Sequence, residues 1–202
     1  MKLYYFPGAC SMASHIVLNE LDVSFGLEEV DTKAGLTKSG MDFSTINPRG
    51  YVPVVELDTG ERITENGAIL QYLFDAHYEG AGAIVPIKRA RLQEVLSFVS
   101  SELHKAFTPF FKNPDMPVSD RAAAEANLSK KVSQLEAMLP TRSPFFMGEE
   151  FTPADAYAFV VLNWSNFVGF SLSEWPAVEA YLARIARRPS VLKALRTEGL
   201  AA

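Results

Sequence analysis

Residues 1–21, MKLYYFPGACSMASHIVLNEL, decide how the chain begins. Lys2 to Phe6 is a run of residues that favour a pleated strand, and Pro7-Gly8 ends it. Beyond that turn Ala13, Ile16, Val17 and Leu21 recur at helical spacing, so the stretch reads strand, turn, helix. Cys10-Ser11 then stands at the mouth of the helix, where main-chain N–H groups point outward and the helix dipole is positive.

Working outward, residues 27–31 (LEEVD) predict a second strand, and Thr32 to Asn47 a polar loop with room for one irregular helix. Residues 52–57 (VPVVEL) predict a strand, Asp58-Thr59-Gly60 a turn, and Arg62-Ile63 the paired return strand. Ala68, Ile69, Tyr72, Leu73 and Ala76 then give one apolar helical face. Residues 1–78 therefore spell βαβ followed by ββα, an α/β domain. Residues 79–87 (EGAGAIVPI) have the composition of a linker.

From residue 88 onward no strand is predicted, so residues 88–202 read as an all-α C-terminal domain. Leu92, Val95, Leu96, Val99, Leu103, Phe107 and Phe110 keep one face apolar over about five turns of a single long helix. A break at Asn113 to Pro117 precedes a helix from about Ser119, with Leu128, Val132, Leu135 and Leu139 on its buried stripe. Phe151-Thr152-Pro153-Ala154-Asp155 supplies a capping hydroxyl, a proline at the first helical position and an acid at the third, a structural helix start. A further helix is expected from about Glu174 to Arg188, stopped by Pro189.

Composition narrows the function. The chain has 202 residues, 48% of them apolar, and a net charge of −5, so no overall field favours nucleic acid and no run is long enough to cross a bilayer. Pro7-Gly8 interrupts the apolar stretch that an export signal would need, and a cytoplasmic protein is expected. One cysteine excludes an internal disulfide and a multi-thiolate metal site, and no metal is expected. An isolated cysteine is more often a small packed hydrophobe, but the strand-turn-helix setting of Cys10 reverses those odds. Dithiol redox chemistry would need a second cysteine three residues on, where this chain has Ala13.

Two further clusters bear on chemistry. Val52-Pro53 is expected to be cis, turning the Val52 main chain outward to pair with an extended peptide. Thr64-Glu65-Asn66 precedes a helix whose N–H groups suit a carboxylate, and Glu65 beside them suits an ammonium; together they suit an α-amino-acid head group. Read singly, Thr64 is equally a cap and Glu65 a favourable first-turn charge. His104-Lys105 reads first as a polar pair on a solvated face. Phe107, Phe110, Phe111, Trp164, Phe167 and Phe170 read first as core, although two helices sharing so many leave room for a cleft.

YYFPGACS (4–11), NPRGYVPVVEL (47–57), TENGAILQYL (64–73), ELHKAFTP (102–109) and FTPADAYAF (151–159) occur in that order and resemble the bacterial β-class glutathione transferases over practically the whole chain. The resemblance implies a thioredoxin-like N-terminal domain, an all-helical C-terminal domain, a homodimer, and glutathione as co-substrate. It implies a glutathione site built from Cys10, Val52, Glu65 and Asn66, with Pro53 beside Val52. The residue matching Cys10 contacts the glutathione sulfur in that family and forms a mixed disulfide with it; those matching His104 and Lys105 approach from the helical domain. Trp164 matches a tryptophan at the edge of the second-substrate pocket, to which Phe107 and Phe110 are assigned. Asn66 departs from the usual glycine or serine, Tyr51 from a frequent glutamine, and Ser97 from an asparagine that commonly reaches the neighbouring subunit.

The reading is a transferase that adds the glutathione thiolate to apolar electrophiles. Lowering a thiol of pKa about 8.5 to below neutrality takes two or three hydrogen bonds at about 1.4 kcal/mol per unit, and Ser11, Tyr5 and His104 are the expected donors. Cys10 and His104 rank above Tyr5, which lies within a strand. One alternative keeps the site but has Cys10 attack disulfides or remove a leaving group, with glutathione resolving the intermediate. Another retains only the fold, as a non-enzymatic ligand carrier or regulatory protein.

Overall fold

The structure is a computed structural model that describes residues 1–78 and 85–200. In chain order the elements are β1 (Lys2–Tyr5), α1 (Ser11–Glu20), β2 (Gly26–Asp31), β3 (Leu36–Thr37), β4 (Val54–Glu56), β5 (Arg62–Thr64) and α2 (Asn66–His77). There follow α3 (Pro86–Phe98), α4 (His104–Lys112), α5 (Val118–Met138), α6 (Pro153–Val168), α7 (Pro176–Ile185) and α8 (Pro189–Thr197). Two compact units form, Met1–Ile84 with Arg187–Ala202, and Val85–Ala186. Most of the expected linker, 79–84, lies outside the described residues, and Pro86 and Ile87 already belong to α3.

In the first unit the strands lie in the order β3-β2-β1-β4-β5. β1 and β2 run parallel with Leu3 opposite Leu27, because α1 carries the chain back across the sheet between them. β4 and β5 are antiparallel, with Val55 opposite Ile63. Tyr4, Val30, Phe43, Ile46, Val52 and Val54 form one buried cluster. α1 is buried at every position from Ser11 to Leu18, since α2 and α8 both pack against it. The Val52–Pro53 bond is cis, as the sequence predicts. The strand expected over 52–57 is confined to Val54–Glu56, and the short β3 inside the polar loop was not expected.

Among the described residues, 187–200, which the sequence groups with 88–186, fall in the first unit. α7 ends at Ile185, and Pro189 opens a further helix, α8, at the helical position that needs no N–H donor; α8 then packs against α1.

In the second unit the apolar stripe from Leu92 to Phe110 is helical, but not as a single α-helix. A π-helical turn, Val99–Leu103, separates α3 from α4, and Pro109 lies inside α4, where it leaves the Lys105 carbonyl without its helical donor. α6 is buried from Pro153 through Leu162 and forms the middle of the unit. Its start is the expected capping box: Asp155 Oδ2 accepts from the Thr152 N–H at 2.8 Å and the Thr152 hydroxyl at 2.9 Å. Asp155 Oδ1 accepts from the Phe146 N–H and the Tyr181 hydroxyl, each at 3.0 Å, so four donors surround one buried carboxyl.

Candidate functional site

In the first unit the β1–α1 turn delivers Cys10. Gly8 takes φ +75°, a conformation that side chains resist, and so lets Pro7 to Cys10 turn tightly into the helix. Cys10 is the residue flanking α1, partly exposed, with Sγ 3.8 Å from the Val52 carbonyl oxygen. The only thiol of the chain thus meets the segment expected to bind an extended peptide.

Ser11 and Tyr5 are placed differently from expectation. Ser11 is fully buried, and its hydroxyl both accepts from the Phe6 N–H and donates to the Phe6 carbonyl at 3.3 Å, which closes the turn. Tyr5 is buried in β1, its ring 6.2 Å from that of His15. Burial pushes the Tyr5 phenol above its usual value, with Glu29, Glu198 and Glu28 adding to the rise, so it stays protonated. Both side chains serve the framework under Cys10, because the last residue of β1 and the first of α1 face inward.

The second cluster lies at the start of α2. Glu65 takes φ +67°, ψ +113°, a strained conformation that costs a non-glycine residue about 1–3 kcal/mol and is characteristic of sites. Its side chain is 60% exposed, and Oε1 accepts from Arg49 Nη1 at 2.9 Å and from the Tyr51 hydroxyl at 2.7 Å. Asn66, the first residue of α2, is 6% exposed, and its amide is engaged inside the protein: Nδ2 donates to the Cys10 carbonyl at 3.0 Å, and Oδ1 accepts from the Ser14 hydroxyl at 2.8 Å. The first main-chain N–H groups of α2 remain as anion donors beside Glu65.

In the second unit His104 opens α4 directly after the π turn. Its Nδ1 lies 3.0 Å from the Tyr157 hydroxyl, and its ring stands edge-on to Trp164 at 4.7 Å. Burial, with Lys105 next to it, lowers the imidazole to about 4, so His104 is neutral at physiological pH and supplies an N–H but no charge. Lys105 is exposed.

The aromatic residues correct an expectation. Phe107 and Phe110 are 0% and 3% exposed and belong to the packed core, with Phe107 edge-on to Trp164 at 5.8 Å. Phe111, 51% exposed and 5.3 Å from Trp164, reaches the surface, as does Phe167 at 58%. Helical spacing fixes which residues share a stripe, and Leu103, Ala106, Phe107 and Phe110 form the inward one. Tyr157 and Arg49 were given no role by the sequence. Tyr157 lies seven residues, two turns, before Trp164 on α6, a spacing that puts both on one face.

Comparison with known proteins matches both units. The family profile described as "Glutathione S-transferase, N-terminal domain" covers residues 1–75, and that described as "Glutathione S-transferase, C-terminal domain" covers residues 98–189. Glutathione S-transferase GstA of Escherichia coli O157:H7 is 40% identical over 202 residues, 99% of this chain and 100% of that protein. The bacterial β-class glutathione S-transferase of Sphingomonas chungbukensis superposes with a TM-score of 0.90 at 42% identity, covering 100% of both chains. A sphingomonad glutathione S-transferase complexed with glutathione does so with a TM-score of 0.90 at 41% identity, again over 100% of both. No helix among the described residues is long and apolar enough to cross a membrane.

Proposed function

The chain belongs to the glutathione S-transferase family, and we propose that its first unit binds glutathione between the start of α1 and the start of α2, with Cys10 at the sulfur. Glutathione is the co-substrate of the family, and its thiolate adds to electrophilic carbon. In this chain the tripeptide lies extended along Val52-Pro53, its γ-glutamyl carboxylate meets the first N–H groups of α2, and its ammonium meets Glu65. To the second unit we assign a neutral N–H from His104, a cation from Lys105, and an apolar contact for the electrophile at Trp164.

The observation that carries the reading is the position of Cys10: at the positive end of α1, partly exposed, and 3.8 Å from the Val52 carbonyl. Two reactions share that position. In conjugation the glutathione thiolate forms a bond to an aromatic carbon and the halide departs with its electron pair. In exchange the Cys10 thiolate attacks oxidised glutathione; the glutathione S–S bond breaks, a Cys10–glutathione disulfide forms, and one glutathione leaves as thiolate. A second glutathione thiolate then attacks the bound glutathione sulfur and releases Cys10.

Incubating the folded protein with oxidised glutathione tests this. The intact mass should rise by one glutathione and return with dithiothreitol, and a protein that stays unmodified has an inert core thiol. We also take the chain to be a cytoplasmic homodimer, since the family is typically dimeric. Light scattering at micromolar concentration should give twice the chain mass, and a monomer mass overturns the dimer.

A further inference from the structure

The Asn66 side chain makes two contacts that neither a glycine nor a serine could make together. A planar amide offers a donor and an acceptor on opposite arms; a serine hydroxyl sits on a shorter stem and glycine has no side chain. Here the donor arm meets the Cys10 carbonyl at 3.0 Å and the acceptor arm meets the Ser14 hydroxyl at 2.8 Å. Cys10 and Ser14 are one turn apart, so both anchors lie on one side of the first turn of α1. Ser14 is 0% exposed and Asn66 6%, which removes water as a competing partner for either bond.

We propose that the Asn66 side chain is a positioning residue for Cys10, clamping the start of α1 to the start of α2, and does not itself hold glutathione. The N–H groups assigned to the substrate carboxylate and the thiol assigned to its sulfur are then carried on one rigid piece. Fixing the Cys10 peptide keeps its thiol at the open end of α1, where the anion is favoured, while the Val52 carbonyl accepts from the thiol only as long as it is neutral. The inference rests on the reading of Cys10 given above.

The test uses the full-length protein without glutathione. Cys10 is the only cysteine, so iodoacetamide alkylation followed by intact mass reads its reactivity alone, across a range of pH. Asn66→Asp keeps the shape and the acceptor for Ser14 but loses the donor to Cys10 and adds a negative charge beside it; Ser14→Ala removes the other anchor with no change of charge, leaves Asn66 in place, and is the deciding variant. Both variants should alkylate more slowly at neutral pH, Asn66→Asp by about tenfold and Ser14→Ala by less, with the rise in rate displaced to higher pH. Wild-type alkylation profiles in Asn66→Asp, with a raised KM for glutathione, would overturn the proposal and make the side chain a ligand contact. If Asn66→Asp does not melt cooperatively, the Ser14→Ala profile decides, and a profile equal to wild type overturns the clamp. A wild-type protein that takes up iodoacetamide but not oxidised glutathione overturns the reading of Cys10, while the variant profiles still decide the clamp.

Discussion

The Tyr51 hydroxyl donates to Glu65 Oε1 at 2.7 Å, on the same oxygen that Arg49 Nη1 meets at 2.9 Å. Two donors on one oxygen fix the direction of an otherwise mobile surface carboxylate. The Arg49 pair is more than half exposed and contributes little by charge alone, so orientation falls to the phenol. Tyr51→Phe should therefore raise the KM for glutathione about fivefold with kcat within about twofold, the effect of losing one exposed hydrogen bond that orients the carboxylate. Glu65→Gln, which loses the partner for the ammonium, should raise it further, by about twentyfold. Initial rates against glutathione concentration check both, and an unchanged KM in Glu65→Gln removes the head group from this place.

His104 gives the protein a pH dependence whose sign is fixed. An unfolded histidine titrates near about 6.5, and burial lowers His104 to about 4. Between those values the unfolded chain carries a proton that the native chain excludes, so this residue lowers stability as the pH falls through the window. His104→Gln should flatten that part of the curve, measured as melting temperature from pH 7 to pH 4. The same shift predicts no inflection from His104 in the kcat profile between pH 6 and 8.

Cys10→Ala should abolish the glutathione adduct and all disulfide exchange. Conjugation of a generic aromatic halide should fall by about tenfold yet persist, because the helix start that favours an anion is built from main chain. Parallel assays on a mixed disulfide and a halide make the comparison; equal loss of both would mean that Cys10 also carries conjugation.

How much of this was legible in the sequence follows from how local each signal is. Pro7-Gly8, the strand-like runs and the turn at Asp58-Thr59-Gly60 are read from neighbours, and the sheet follows them closely. Pro189 misleads because one residue both forbids the continuation of a helix and favours the start of the next. The π turn at Val99–Leu103 leaves the apolar stripe intact on either side, so spacing does not reveal it. Ser11 and Asn66 were named as chemical residues, yet their partners are main-chain or buried groups; those of Asn66 lie 52 and 56 positions away, and no pattern along the chain marks such a bond. Phe107 and Phe110 show the same limit: periodicity groups them, but only packing says whether the shared face meets a ligand or a core.

Asp155 is the stability test of the second unit. Removing its side chain leaves the Phe146 and Thr152 N–H groups and the Thr152 hydroxyl without this acceptor in a buried place, and leaves the Tyr181 hydroxyl only the Asp155 main-chain carbonyl. Asp155→Ala should cost about 3 kcal/mol or more, read as a lower denaturation midpoint, with Asp155→Asn intermediate.

The return of residues 187–200 to the first unit bears on the order in which the molecule is finished. Glu198 Oε2 accepts from the Gly8 N–H at 2.9 Å across 190 positions, and Oε1 meets His15 Nδ1 at 2.8 Å. The ribosome releases Gly8 early and Glu198 late, so during synthesis the turn that carries Cys10 waits for its last support while the whole second unit emerges. A nascent chain halted at Ile185 holds every strand of the sheet, yet one side of α1 is still uncovered. The unit that begins first is therefore the unit completed last, and a fragment of residues 1–84 made alone lacks part of its own interior.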